Sequence, residues 1–189
     1  MIVFPNAKIN IGINIVSRRP DGYHNIETIF YPIRIVDALE ALPGDELAFH
    51  SSGLGIPGRV EDNLCIRGYH LMAKDHPLPP LNIFLYKHIP IGAGLGGGSS
   101  DAAFFIRLVN DLFGLGLSTE QMQAYARQLG ADCAFFIEGK PVFAFEKGDK
   151  FEPIDLDLSK YHLVLAMPRA HVSTPEAYRG VKAVQPQHS

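Results

Sequence analysis

Five of the seven residues from Gly92 to Gly98 are glycine, and the run continues into Ser99 and Ser100. Each glycine costs backbone entropy on folding, so such density suits a place where another group must approach the main chain closely. Before it, Leu81 to Ile89 reads as a strand. After it, Ala102, Phe105, Ile106, Val109, Leu112 and Phe113 recur at three- and four-residue intervals, the stripe of a core-facing helix. A glycine loop leading from strand to helix offers free N–H groups at the positive end of a helix dipole, an anion site suited to nucleotide phosphates. Ser99 and Ser100 can add hydroxyl contacts to phosphate or to bound Mg²⁺. A flexible connector is the plainer reading of the composition, and the strand-loop-helix placement argues against it. No Gly-Lys-Ser/Thr closes the loop as in a Walker A sequence. Nor does a strand end in an acidic ribose partner about 20 residues on, so a phosphate-binding fold of another kind is required.

The elements that would position this loop are legible in outline. From Val3 to Val16 the chain alternates, with Val3, Ala7, Ile9, Ile11, Ile13 and Ile15 on one side and Asn6, Lys8, Asn10, Gly12 and Asn14 on the other. This predicts a long strand with one buried face, turned back at Arg19-Pro20-Asp21-Gly22 into a second strand from Tyr23 to Ile35. Glu46 to Ser51 reads as a short strand. Asp62 precedes a capped helix carrying Leu64, Ile66, Leu71 and Met72, and Ser118-Thr119-Glu120-Gln121 opens another that ends at Gly130. Further strands are expected around Pro141 to Phe145 and His162 to Met167, and a helix start with Pro near its first position at Ser173 to Tyr178.

Composition narrows the function classes. Across 189 residues, 47% are hydrophobic and 20% charged, ordinary for a folded globular chain. A net charge of -3 gives no electrostatic footprint for nucleic acid or an anionic membrane, and no basic stripe or aromatic ladder suggests an RNA-binding module. Cys65 and Cys133 are too few for a disulfide framework and lack a histidine cluster at metal-ligand spacing, which suits a reducing cytoplasm. The Met1-Ile2-Val3-Phe4-Pro5 start lacks the marks of a signal peptide, and no run of about 18 apolar residues predicts a membrane span.

Pro90-Ile91-Gly92-Ala93-Gly94-Leu95-Gly96-Gly97-Gly98-Ser99-Ser100, followed by Asp101-Ala102-Ala103, resembles the phosphate-loop motif of the GHMP kinases. Pro5-Asn6-Ala7-Lys8-Ile9-Asn10 with Arg19-Pro20-Asp21-Gly22-Tyr23-His24, and then Leu129-Gly130-Ala131-Asp132, resemble motifs of the branch that acts on a cytidine-diphosphate-linked methylerythritol. The resemblance implies an α+β fold, a mixed and largely antiparallel sheet with packed helices. It implies an ATP-binding amino-terminal domain over 1–155 and the beginning of a second α+β domain over 156–189. The implied activity is Mg²⁺-ATP-dependent phosphorylation of the substrate's 2-hydroxyl, in non-mevalonate isoprenoid biosynthesis.

The implied roles follow residue by residue. Asp132 would accept the hydroxyl proton while Lys8 stabilises charge on the transferring group. Pro90 to Ser100 would hold the ATP phosphates, with Asn63 and Lys87 near the adenine. Asn10, lying two residues from Lys8 on the same strand face, would serve the substrate, as would Tyr23, His24 and Tyr178 at its cytosine end. An aromatic ring offers flat apolar area and an imidazole can hydrogen-bond a base edge. Plainer readings stand beside these: Lys8 and Lys87 solvated on strand faces, Asp132 capping a helix at the Phe135 amide, Asn63 as a cap, Tyr23 packed under a hairpin and His24 at the surface.

The sequence departs from the family pattern in places. Cys133 and Ala134 follow Asp132 where a β-branched residue and proline are usual, and Glu146-Lys147-Gly148-Asp149 replaces a Gly-x-Gly-Glu-like stretch. No third glycine-rich motif is present, so the expectation is a truncated kinase with weak binding and slow turnover or none. A non-catalytic nucleotide-binding remnant and a GHMP kinase of different substrate specificity are the alternatives. The ligands of Mg²⁺ and the oligomeric state are left open by the sequence.

Overall fold

The computed structural model describes residues 1–167, together with Ala177 and Gly180. Strands β1 (Ile2–Val3), β2 (Asn6–Arg18), β3 (His24–Val36), β4 (Ala38–Pro43) and β5 (Ala48–Gly53) precede helix α1 (Leu64–Met72) and strand β6 (Leu81–Lys87). Helices α2 (Gly97–Phe113), α3 (Thr119–Leu129) and α4 (Phe135–Glu138) follow, then strands β7 (Val142–Phe145) and β8 (Lys150–Pro153). This is the expected α+β architecture, with sheets of order β1-β4-β6-β5 and β2-β3-β7-β8. Among the described residues no helix is long and apolar enough to cross a membrane. The chain divides into two compact units, one of Met1–Ile9 with Pro32–Lys140 and one of Asn10–Tyr31 with the chain from Pro141.

In the first unit α2 is the central helix, packed against α1, α3, α4 and β4. Its stripe of Phe105, Ile106, Leu108 and Val109 is sealed together with Leu39 of β4, Leu81, Ile83 and Leu85 of β6, and Met72 of α1. Burying each such side chain contributes roughly 1.5–3 kcal/mol, which sets the position of α2 and of the loop feeding it. β4 runs antiparallel to β6, whereas β5 pairs parallel to β6 with His50 opposite Phe84. The parallel pair requires a crossover, and α1 supplies it. Asn63, rather than Asp62, caps α1, its Oδ1 accepting from Cys65 N at 2.9 Å. The capping box of α3 is complete: Ser118 Oγ accepts from Gln121 N and Gln121 Oε1 from Ser118 N.

In the second unit β3 and β7 pair antiparallel with Thr28 opposite Ala144, and β7 continues into β8. Phe30 is buried there beside Phe151. The turn between β2 and β3 closes through Arg19 N donating to Tyr23 O at 2.8 Å, with Asp21 Oδ1 accepting from Tyr23 N at 3.1 Å.

Two expectations fail. The alternation in β2 does not mark a buried apolar face: Ile11 and Ile13 are exposed, while Lys8, on the polar register, is buried. Side-chain alternation survives; what covers each face varies along so long a strand. No strand forms over His162 to Met167, where Leu163, Val164, Leu165 and Met167 are exposed. The expected helix start at Ser173 to Tyr178 lies outside the described residues, apart from Ala177.

Candidate active site

Two stretches of the first unit, residues 56–64 and residues 87–101, line a cleft of about 370 Å³. The glycine loop forms one wall. β6 delivers the chain into the loop, and α2 begins at Gly97 with Gly96 as its N-cap in the left-handed region (φ 71°). That backbone, and the space around it, require glycine: a Cβ on Gly96 would lie 2.8 Å from Phe136 Cζ and 3.2 Å from Lys8 Cε. A Cβ on Gly97 would meet Lys87 Nζ at 2.9 Å, whereas one on Gly94 or Gly98 would meet nothing within 4 Å. The loop is therefore packed tightly against the protein at Gly96 and Gly97 and open at Gly94 and Gly98. An open main chain at a helix N-terminus is what an incoming anion needs.

Lys8 is brought beside this loop by β2. Its backbone N–H donates to Leu95 O at 2.9 Å, stitching strand to loop. Its Nζ stands 3.3 Å from Asp132 Oδ2. Asp132 sits between α3 and α4, and α4 takes no side-chain cap, so the carboxylate is committed to Lys8 rather than to the helix. The solvated reading of Lys8 and the capping reading of Asp132 are both set aside. Cys133, next in the chain, is buried, and burial pushes its thiol up to about 11, so it is held neutral and unreactive.

Lys87 is not solvated either. Its Nζ donates to Asp37 Oδ2 at 2.5 Å and to Asp101 Oδ2 at 2.7 Å, all three side chains being almost sealed. Asp37 Oδ1 also accepts from His88 N at 2.6 Å and Ile89 N at 2.8 Å. One carboxylate thus fixes the end of β6, and the lysine ties it to the first turns of α2, clamping both roots of the glycine loop. Burial raises the Asp101 carboxyl to about 7, with Lys87 opposing the shift. Asp37 and Asp101 were not among the predicted site residues. An aspartate between Val36 and Ala38, inside an otherwise apolar run, was the signal available.

The other predicted residues divide. Asn63 and Ser99 line the cleft, Asn63 while also capping α1. Ser100 Oγ is buried away from the cleft lining, and like Asp101 Oδ1 it has no hydrogen-bond partner among the described residues. In the second unit, Asn10 Nδ2 donates to Thr28 Oγ1 at 3.0 Å. Tyr23 is 63% exposed, with Lys147 Nζ 5.6 Å from its ring centre, so it is not packed under the hairpin. His24, at the start of β3, is half-buried. Lys147 belongs to the stretch that departs from the family pattern, where the motifs predict no site residue. Tyr178 lies outside the described residues. No group of three or more His, Cys, Asp or Glu among the described residues could hold a metal ion.

Residues 63–140 match the GHMP kinases N terminal domain. A protein of Bacteroides fragilis named 4-diphosphocytidyl-2-C-methyl-D-erythritol kinase is 53% identical over 193 residues, an alignment covering 100% of this chain and 70% of the relative. A protein of the same name from Cytophaga hutchinsonii is 55% identical over 96% of this chain and 67% of its own. A crystal structure of 4-(cytidine 5'-diphospho)-2C-methyl-D-erythritol kinase superposes with a TM-score of 0.77 at 33% identity, covering 96% of this chain and 65% of that one. The Methanococcus jannaschii mevalonate kinase, at 16% identity and a TM-score of 0.63, shares the fold.

Proposed function

The chain belongs to the 4-diphosphocytidyl-2-C-methyl-D-erythritol kinases, within the GHMP kinases, and from that membership we propose how its residues perform an ATP-dependent phosphorylation of that substrate's 2-hydroxyl. The observation that carries the reading is the Lys8–Asp132 pair packed against the glycine loop, at 3.3 Å. Asp132 takes the proton of the substrate hydroxyl as the oxygen forms its bond to the γ-phosphorus; the bond from that phosphorus to the bridging β,γ-oxygen breaks and ADP leaves. Lys8 supplies positive charge where the equatorial oxygens gather negative charge.

The open main chain at Gly94 and Gly98 receives the triphosphate, helped by Ser99. Asn63 and the Lys87 region receive the rest of the nucleotide. Mg²⁺ is bound largely by phosphate oxygens in such reactions, so a site with few protein ligands fits it, and Ser99 is the hydroxyl placed to assist. When bound, the ion would neutralise negative charge on the transferring phosphates. Asn10 serves the substrate, Tyr23 and His24 its cytidine end, and the charge of Lys147 beside Tyr23 suits a diphosphate. Two free, buried cysteines suit a reducing cytoplasm.

The test is ADP release with Mg²⁺-ATP and 4-diphosphocytidyl-2-C-methyl-D-erythritol, with Asp132→Asn as the blank and calorimetric titration of each ligand alongside. Substrate-dependent release abolished in the variant supports the reading. Equal release from both proteins would rule out the proposed pair.

A further inference from the structure

Resting on the nucleotide reading of the cleft, we propose that Arg59 is its base platform: the guanidinium, held flat by Asp62, stacks on the nucleobase. The two lining stretches differ in chemistry. The glycine loop offers main-chain N–H groups, while the other brings Ile56, Pro57 and Leu64, apolar side chains suited to a base rather than to phosphate. Among the described lining residues none is aromatic, and the guanidinium of Arg59 is the only extended planar group.

Its plane is fixed by a two-pronged contact, Nε donating to Asp62 Oδ2 at 3.0 Å and Nη2 to Asp62 Oδ1 at 3.2 Å. A tight turn brings the two side chains together, with Asp62 N donating to Arg59 O at 3.1 Å. The Arg59 side chain is 76% exposed, so little covers its faces. An exposed pair of this spacing contributes little to stability, and the fold does not depend on it. Asp62 neutralises the charge and occupies two of the five N–H donors, which leaves a flat, weakly hydrated face. Guanidinium planes of this kind stack on aromatic rings. A lone arginine aimed at phosphate would need no such partner.

Calorimetric titrations of wild type, Arg59→Ala and Arg59→Lys with Mg²⁺-ADP and with Mg²⁺-tripolyphosphate test the proposal. Both variants should weaken ADP by about 3- to 10-fold, leave tripolyphosphate unchanged and melt at the wild-type temperature. Unchanged ADP affinity in Arg59→Ala overturns the proposal, and so does recovery in Arg59→Lys, which keeps the charge without the plane. Equal weakening of tripolyphosphate, or a lowered melting temperature, would make Arg59 a charge or structural residue and overturn it too. Wild type that binds tripolyphosphate but not ADP would sink this inference and leave the anion loop standing. Wild type that binds neither would sink the nucleotide reading along with it.

Discussion

Lys8 and Asp132 meet at 3.3 Å but are unequally covered, the lysine side chain keeping 6% of its exposure and the carboxylate 34%. The aspartate can reach a substrate hydroxyl while the lysine is held in place from below. Asp132→Asn should lower turnover by about 10²- to 10⁴-fold, the usual contribution of a positioned base, with ADP affinity unchanged. Lys8→Met should lower turnover as well. ADP release and calorimetry separate the two effects, and an Asp132→Asn protein of wild-type turnover would remove the aspartate from the chemistry.

The glycines of the loop make a contrasting pair. Gly96→Ala places a Cβ 2.8 Å from the Phe136 ring in a left-handed backbone, and should cost about 1–3 kcal/mol in urea denaturation. Gly98→Ala meets nothing within 4 Å and should leave stability intact while weakening ADP binding, because the methyl group occupies the approach to the main chain.

Removing Lys87 leaves Asp37 and Asp101 buried together without a cation. Lys87→Met should destabilise the chain by about 3–5 kcal/mol, read as a lower denaturant midpoint. A midpoint within error of wild type would show that the triad does not clamp the loop.

Asp101 carries a pH dependence whose sign is fixed by burial. Its carboxyl is raised from the usual 3.8 to about 7, so the folded chain keeps a proton that the unfolded chain has lost. Its contribution to stability is complete below about pH 4 and is lost as pH rises through about 7. Asp101→Asn cannot lose that proton. Its stability relative to wild type should therefore increase between about pH 4 and about pH 7 and level off above, with a slope of at most about 1.4 kcal/mol per pH unit. A constant offset across this range would exclude the titration.

Much of this was legible beforehand, for local reasons. The hairpin of β2 and β3, the helix after the glycine loop and the capping box of α3 each write their signal within a few consecutive residues. Lys8 and Asp132 were legible through the motifs around them. Asp37 and Arg59 were not: Asp37 acquires meaning only when β4 and β6 bring Lys87 to it, and Arg59, though paired locally with Asp62, only when a cleft opens beside the turn. The burial of Lys8 ran against its sequence, since the polar face of a strand is solvated unless another element covers it. The β5–β6 pairing was equally hidden, as nothing in the residues from Ala48 to Gly53 distinguishes a parallel neighbour from an antiparallel one.

The first unit is assembled from Met1–Ile9 and Pro32–Lys140, and Lys8 and Asp132 come from opposite ends of that stretch. Order of synthesis gives this separation a meaning. Residues 8, 37, 87 and 95–101, which hold the glycine loop, leave the ribosome well before residue 132. Bringing distant segments together also costs closure entropy that later contacts must repay. The tight side of the loop closes later still, because Gly96 packs against the Phe136 ring, which follows Asp132 in the chain, so the anion-binding loop and the proton acceptor reach their final form together.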